Sequence, residues 1–340
     1  MLTESGFRPA WWLPGAHLQT QFPSLFRRPA PLSLRRERIE LPDGDFLDLD
    51  WNEVESHSLI LVLHGLEGSA RSRYAGGILH ALRQAGLSSV LMNFRGCSGE
   101  PNRLPRSYHS GDTADLEHVV LRLRATAPDA ALGVVGYSLG GNVLLKWLGE
   151  KAERAAIDAA VAVSVPFNLS LCADRLNHGL SRVYQWYLLR KLRHSLQRKL
   201  DTMSLPIGVQ DPRSLGSLRE FDEQVTAPLH GFAGAEDYYT RSSCRAWLSS
   251  IAVPTLILHA TDDPFMTPAV VPRADELSPS VRLELSARGG HVGFVSGRLP
   301  WAPSYWLEPR ICQYFHSRLG RASNSRQDGS RYPAGTPGTS

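Results

Sequence analysis

Five short apolar segments place the strongest constraint on the fold. They are SLILVLHG (58–65), SSVLMNFRG (88–96), ALGVVGYS (131–138), AAVAVSVP (159–166) and PTLILHA (254–260). Nearly continuous apolar runs of this length are typical of strands buried on both faces. Helix-like segments at 71–86, 112–127 and 140–155 separate most of them. This alternation predicts an α/β fold with a doubly wound, mostly parallel sheet that is covered by helices on both faces.

Two intervals depart from this rhythm. The segment RRERIELPDGDFLDLDW (35–51) alternates polar and apolar residues around Asp43-Gly44, which predicts an N-terminal antiparallel hairpin. The 88-residue separation between Pro166 and Pro254 is far longer than a crossover connection needs, and it predicts an inserted helical cap. We therefore expect an α/β core at 1–167 and 246–319, a helical cap at 168–245, and a disordered tail rich in Gly, Ser, Pro and Arg at 320–340.

Composition excludes several classes of function. The 340 residues are 42% hydrophobic and 21% charged, which is ordinary for a globular protein. The net charge of +4 is spread over the chain without a nucleic-acid-binding motif, so no nucleic-acid partner is expected. The four cysteines form neither a CxxC pair nor a zinc-ligand spacing, and we expect no metal or cofactor. No signal peptide or integral membrane segment is readable, so the sequence predicts a cytoplasmic protein.

A nucleophile motif lies where one apolar run ends. Gly136-Tyr137-Ser138-Leu139-Gly140 matches G-x-S-x-G between an apolar strand and a helix-like segment. In that setting the turn exposes the serine hydroxyl above the carboxyl edge of the sheet, next to free N–H groups of the new helix. Ser138 is the predicted nucleophile.

A serine nucleophile needs a histidine base, and the base should follow it in the sequence. His291 is favoured because the paired glycines before it and Gly293 after it indicate a loop at a strand end. His259 lies inside an apolar run and is interpreted as a core residue. The other candidates are His178, His194 and His230.

The acid that orients the histidine should follow the strand at 254–260. Asp262 and Asp263 are both in position. We favour Asp263 because Pro264 holds its backbone extended, and Asp262 is then a neighbouring loop residue.

Two backbone amides are expected to bind the oxyanion that forms when a serine attacks a carbonyl group. The residue after the nucleophile supplies one, from Leu139, and the loop HGLEGSARS after the first parallel strand supplies the other, from Leu66. Gly68 should permit the tight path of that loop. His64 is interpreted as a structural residue that forms a hydrogen bond within it.

Several long phrases carry a resemblance to a known family. They are WWLPGAHLQT, HGLEG, NFRGCSGEPNRLPRSYHSGDTADL, GYSLGGN, DDPF and GGHVGF. Together they resemble the YheT-like branch of the α/β-hydrolase superfamily from about Phe7 to Leu319. The resemblance implies a hydrolase or carboxylesterase with charge-relay residues at Ser138, Asp263 and His291. Eukaryotic members act on medium-chain acyl esters or phospholipids.

Two further segments leave two interpretations open. The polar loop after 88–96 could line a substrate entrance or could be structural, and the structural reading is favoured. Its polar residues are Arg95, Asn102, Arg103, Arg106, Tyr108, His109 and Asp112. A basic amphipathic helix in the insertion could contact an anionic membrane or bury its leucines in the protein, and the second reading is favoured. Its leucines are Leu188, Leu189, Leu192, Leu196 and Leu200.

The residues together predict a serine hydrolase that cleaves carboxylic esters with short to medium acyl chains. The partner is a small-molecule acyl ester, with lipid-like esters and peripheral membrane contact left open. Two alternatives remain at this stage. One is an acyltransferase that uses the same residues with an alcohol as acceptor, and the other is a non-catalytic ligand-binding protein of the same fold.

Overall fold

The computed structural model describes residues 1–329, and its centre is a sheet of nine strands. The strands are β1 (Leu2–Glu4), β2 (Arg35–Glu40), β3 (Phe46–Asn52), β4 (Ser58–Leu63), β5 (Ser88–Asn93), β6 (Ala131–Tyr137), β7 (Ala159–Val163), β8 (Thr255–Ala260) and β9 (Val281–Ser286). They lie in the order β1-β9-β8-β7-β6-β4-β5-β3-β2. A separate two-stranded ribbon contains β10 (Val295–Leu299) and β11 (Ala302–Tyr305).

The sheet is parallel from β1 across to β5, and only β3 and β2 run antiparallel to their neighbours. The predicted fold class and the predicted hairpin are therefore confirmed. Strand β4 pairs with β5 on one side and with β6 on the other. The loops that leave β4 and β6 consequently diverge at a topological switch point, where open α/β sheets form their ligand crevices.

Ten α-helices accompany the strands in the described part of the chain. They are α1 (Ala16–Phe26), α2 (Arg73–Gln84), α3 (Ala114–Thr126), α4 (Leu139–Lys151), α5 (Leu169–Leu176), α6 (Ser181–Leu200), α7 (Leu218–Phe221), α8 (Ala227–His230), α9 (Ala235–Ser242) and α10 (Leu307–Gly329). A π-helical turn at Asp222–Thr226 joins α7 to α8.

Helices cover the sheet on both faces. Successive side chains of each strand point to opposite faces, so each face packs against its own layer of helices. Leu61 and Leu63 of β4 pack with α3 and α4 on one face, whereas Ile60 and Val62 pack with α2 and α10 on the other. All four side chains are fully buried. This double burial explains why the strand sequences are apolar at nearly every position.

Helices α5 to α9 lie between β7 and β8 and have an apolar cluster of their own. It includes Leu189, Leu196, Leu215, Leu218 and Phe221. The leucines of α6 pack into or against this cluster, in agreement with the favoured reading of the amphipathic helix. We call residues 168–245 the cap, following the predicted boundaries.

The C-terminal end differs from the expected pattern in its described part. Helix α10 continues to Gly329, beyond residue 320, at which the disordered tail was predicted to begin. The remainder of the predicted tail, 330–340, lies outside the described residues.

Candidate active site

The turn between β6 and α4 holds Ser138 in a strained conformation. Its φ is 52° and its ψ is −118°, values that few residues other than glycine adopt. Both motif glycines are required by close contacts. A Cβ on Gly136 would lie 2.4 Å from the carbonyl oxygen of Gly140, and a Cβ on Gly140 would lie 2.5 Å from that of His64. The turn therefore has the geometry of a nucleophile elbow.

The structure brings Ser138, His291 and Asp263 together in one chain of hydrogen bonds. His291 Nε2 lies 3.0 Å from Ser138 Oγ, and His291 Nδ1 lies 2.7 Å from Asp263 Oδ2. Asp263 also accepts a hydrogen bond from the amide of Phe265 at 2.8 Å. The Phe265 ring stacks on the imidazole with centroids 3.9 Å apart. The imidazole is thus fixed in position from both sides.

Asp262 occupies a different place from Asp263. Its Oδ1 accepts a hydrogen bond from the amide of Gly290 at 2.9 Å, which fixes the loop that carries His291. Burial raises the pKa of the Asp262 carboxyl group. Asp262 therefore supports the loop, while Asp263 contacts the imidazole.

The loop that carries His291 is held by elements that sequence reasoning did not connect to it. Thr20 Oγ1 of α1 accepts from the His291 amide at 2.9 Å, and Ser164 Oγ accepts from the Val292 amide at 3.0 Å. Gly290 passes so close to α1 that a Cβ would lie 2.5 Å from Thr20 Oγ1. The signal for α1 was the phrase WWLPGAHLQT, which served only as a family signature.

The two residues predicted as oxyanion donors, Leu66 and Leu139, both line the cavity. Neither the Leu66 nor the Leu139 N–H donates a hydrogen bond to any residue in the described range 1–329. The carbonyl oxygen of Ser138 accepts from the Asn142 amide at 3.0 Å, along α4. Because a trans peptide places C=O and N–H on opposite sides, the Leu139 N–H must point out of the helix, toward the cavity.

His64 is a structural residue of the neighbouring loop. Its Nδ1 donates to the Gly65 carbonyl at 2.7 Å, and its Nε2 accepts from the Phe94 amide at 3.1 Å. Burial lowers the pKa of His64 to about 4, so its ring is neutral. By holding the Gly65 carbonyl it turns the Leu66 N–H, on the same peptide, in the opposite direction.

Gly68 permits the tight path of this loop by its lack of a side chain and not by a positive φ. The residue with positive φ in this loop is Glu67, at 52°, and not Gly68. Gly68 is required for a steric reason, since a Cβ there would lie 2.9 Å from Tyr74 Oη and 3.0 Å from the Gly65 carbonyl oxygen.

The other candidate histidines lie away from Ser138 Oγ. His178 and His194 are exposed on the cap. His259 is buried in β8, and burial lowers its pKa to about 4. His230 packs edge-on against His109 with ring centroids 4.5 Å apart, in the cavity wall.

A cavity of about 750 Å³ separates the core from the cap. Ser138, Leu139, Leu66 and His291 lie in its floor. Its cap-side wall is mainly apolar and includes Leu176, Leu188, Leu192, Leu196, Leu218, Phe221, Val225 and Leu229. This volume is in the range of small-molecule sites, which are commonly 300–1,000 Å³.

The polar loop after β5 contributes to both structure and cavity. Arg95 is buried and donates to Asp115, Asp43 and Asp45. Asp112 accepts from Arg106 and does not cap α3. Tyr108 and His109 lie in the cavity wall. The loop is thus held by buried ion pairs while part of it faces the site.

Comparison with known proteins agrees with this geometry. Residues 58–297 match the family described as "alpha/beta hydrolase fold". The Escherichia coli (strain K12) protein named "Putative esterase YheT" is 46% identical over 319 residues, which cover 92% of this chain and 94% of that protein. Phospholipase ABHD3 of Mus musculus is 31% identical over 325 residues, which cover 92% of this chain and 77% of that protein. This chain belongs to the YheT-like branch of the α/β-hydrolase superfamily.

Solved structures agree with the fold of this YheT-like hydrolase. The Pyrococcus furiosus esterase Pf2001 aligns with a TM-score of 0.54 and 17% identity, over 85% of this chain and 94% of that one. At this identity the similarity concerns the fold alone. Within residues 1–329, no helix is long and apolar enough to cross a membrane.

Proposed function

We propose that this YheT-like hydrolase cleaves carboxylic esters with short to medium acyl chains through a covalent acyl-enzyme. The observation that carries the proposal is the hydrogen-bonded chain from Ser138 through His291 to Asp263, which opens into a cavity with an apolar wall. Such a chain activates a hydroxyl group that is otherwise a weak nucleophile.

In the first half-reaction, His291 Nε2 takes the proton of Ser138 Oγ as the oxygen attacks the ester carbonyl carbon. The negative charge that develops on the carbonyl oxygen is stabilised by the amides of Leu66 and Leu139. The tetrahedral intermediate then collapses, the ester C–O bond breaks, and His291 gives its proton to the departing alkoxide. The products are an alcohol and an acyl group on Ser138.

In the second half-reaction, His291 takes a proton from water as the water attacks the acyl carbon. Collapse releases the carboxylic acid and returns the proton to Ser138 Oγ. Throughout, Asp263 holds Nδ1 protonated, so that Nε2 faces Ser138 as an acceptor, and it stabilises the imidazolium that forms in each step.

The cavity supports a substrate with an apolar acyl chain, and its mouth supports a lipid-like one. Leu25 of α1 and Val183, Trp186 and Tyr187 of α6 line the cavity and are also exposed, by 45–61%. Neither α1 nor α6 contains an Asp or Glu residue. An apolar rim without carboxylates fits peripheral contact with an anionic lipid surface. The name phospholipase of the mouse relative is consistent with this substrate class.

The location that we propose is the cytoplasm. Cys97, Cys172, Cys244 and Cys312 are all free in the structure, and three of them are buried. Unpaired thiols are typical of a reducing compartment.

The test measures hydrolysis of p-nitrophenyl esters from acetate to dodecanoate by the purified protein and by a Ser138→Ala variant. We expect activity on short to medium chains and a loss of at least roughly a thousandfold in the variant. A fluorophosphonate probe should label Ser138. Equal activity of both proteins would exclude Ser138 as the nucleophile.

A further inference from the structure

Glu67 connects the cap to the loop that carries a proposed oxyanion donor. It directly follows Leu66, and its backbone has a positive φ of 52°. A residue with a Cβ adopts this conformation only where surrounding contacts hold it.

The carboxylate of Glu67 is bound from two directions. Ser195 Oγ of the cap helix α6 donates to Oε2 at 2.5 Å, and Tyr108 Oη of the core donates to Oε1 at 3.0 Å. The Glu67 amide in turn donates to Tyr108 Oη at 2.7 Å. Backbone and side chain of this residue are thus tied to one tyrosine and one cap serine.

A second group on the same helix binds the Glu67 backbone. Lys191 Nζ donates to the Glu67 carbonyl oxygen at 3.2 Å. Lys191 and Ser195 are four residues apart, so they lie one above the other on the same face of α6. Leu188 and Leu192 of α6 contribute to the cavity wall. The helix that contacts the cavity therefore also holds the oxyanion loop.

These contacts fix the two peptide groups on either side of Leu66. His64 holds the Gly65 carbonyl, and Tyr108 holds the Glu67 amide. The first contact lies within the core, whereas the position of Glu67 depends on α6 as well. If α6 moved away, Glu67 would lose Ser195 and Lys191 and keep only Tyr108. The peptide group after Leu66 would then be held less firmly, and the direction of the Leu66 N–H would depend on the His64 contact alone.

We infer that Glu67 is a positioning residue through which α6, when packed over the cavity, helps to hold the Leu66 amide in the oxyanion hole. This inference rests on the proposed function, since it takes Leu66 as an oxyanion donor. It makes transition-state stabilisation depend on the cap, through a residue outside the hydrogen-bonded chain of Ser138, His291 and Asp263.

The test uses Glu67→Gln and Ser195→Ala, with Gln197→Ala as the matched control. The amide in Glu67→Gln cannot accept both hydrogen bonds, because its NH2 group is only a donor. Ser195→Ala leaves Glu67 intact and removes the contact from the cap. Gln197 is exposed on the same helix and contacts Asp201.

We expect kcat for p-nitrophenyl acetate to fall about tenfold to a hundredfold in Glu67→Gln and about fivefold to tenfold in Ser195→Ala, while KM changes less than about twofold. These losses are smaller than the 10²–10³ that follows complete removal of an oxyanion donor. The double variant should be no slower than Glu67→Gln alone, because both changes break the same contact.

A trifluoromethyl ketone supplies a readout that a purely structural role would not affect. It adds to the serine and places a charged oxygen in the oxyanion hole, so its Ki should rise in parallel with the loss in kcat. The Tm values should remain close to that of Gln197→Ala.

Three outcomes separate the inference from the proposed function. If Ser138→Ala is inactive but Glu67→Gln and Ser195→Ala match Gln197→Ala in kcat and in Ki, the inference is wrong and the proposed function stands. If the two variants lose stability without a parallel change in kcat and Ki, Glu67 is structural only. Retention of activity by Ser138→Ala would overturn the proposed function itself.

Discussion

On the core side of the cavity the side chains are fixed by hydrogen bonds, whereas on the cap side they are fixed by apolar packing. Ser138, His291 and Asp263 form successive contacts of 3.0 and 2.7 Å. The opposite wall consists largely of leucine, valine and phenylalanine side chains from α5 to α8. Directional contacts define one geometry for proton transfer, while apolar contacts tolerate changes in shape. We therefore expect substitutions on the core side to change the rate and those of apolar cap side chains to change the choice of substrate. Ser195 is the cap residue expected to act with the core, because it binds Glu67.

The largest effect should come from the carboxylate beside the imidazole. Asp263→Asn should lower kcat by about 10³–10⁴, because an amide cannot hold Nδ1 protonated or stabilise the imidazolium. Asp262→Asn is the matched control, since this neighbouring residue contacts the Gly290 amide instead of His291. Steady-state kinetics on one medium-chain ester compare the two. The opposite order of losses would assign the acid to Asp262.

The core side of the cavity was easier to predict from the sequence than the cap side. The strands and Ser138 were readable because buried parallel strands and the elbow turn leave local patterns in the sequence. Asp263 and His291 followed from their places after β8 and β9. In the cap, only α6 showed a clear amphipathic pattern.

Contacts between distant segments account for what was not predicted. Glu67 is bound by Tyr108 and Ser195, and the loop of His291 is held by Thr20 of α1. No local pattern signals such pairs. The same holds for β1, whose pairing with β9 places Leu2 beside Leu283. Nor does the amphipathic pattern of α6 show which of its leucines reach the cavity: Leu188 and Leu192 line it, whereas Leu189 packs inside the cap.

The next largest effect should come from replacing Asn142, whose buried side-chain amide lies where the core meets the cap. Asn142 Nδ2 donates to the carbonyls of Ser110 and Ser242 at 2.8 Å, and its Oδ1 accepts from the Cys244 amide at 2.9 Å. Asn142→Ala would leave three buried backbone groups without partners and should lower the free energy of unfolding by about 2–4 kcal/mol. Urea unfolding measures this loss.

The control for the junction is Asn177→Ala. Asn177 makes one longer hydrogen bond, to the Ala173 carbonyl at 3.3 Å, at the end of α5. Its loss should be below about 1 kcal/mol. Similar losses in both variants would show that Asn142 is not a special anchor between core and cap.

A smaller effect concerns an ionisable group in the cap. Burial raises the pKa of Asp222 from 3.8 to about 6, although Thr226 and Tyr239 donate to its carboxylate. Between these pH values the folded protein binds a proton that the unfolded chain has released, so this group's contribution to stability falls as the pH rises. We expect this group to lower the free energy of unfolding by about 1–2 kcal/mol between pH 4.5 and 7.5.

Asp222→Asn should remove this dependence. Its free energy of unfolding relative to the wild type should increase by that amount over the same pH range, as measured by urea unfolding at each pH. Asp174→Asn is the control, because Asp174 is an exposed carboxylate in the cap that pairs with Arg219. Parallel pH profiles of Asp222→Asn and the wild type would contradict the prediction.

The smallest effect should be one of selectivity. Leu192 of α6 lies in the cavity wall, and Leu192→Ala removes contacts that only a longer acyl chain can reach. Each buried CH2 group contributes about 0.8 kcal/mol, so the ratio of kcat/KM for the octanoate ester to that for the acetate ester should fall about threefold to tenfold. The acetate value itself should stay within about twofold. Leu121→Ala is the control, because Leu121 is exposed on α3 and is not part of the cavity wall. If Leu192→Ala instead lowered kcat/KM equally for both esters, this apolar cap residue would affect the rate as the core residues do. The division between the two sides of the cavity would then fail at α6, the helix that also carries Ser195.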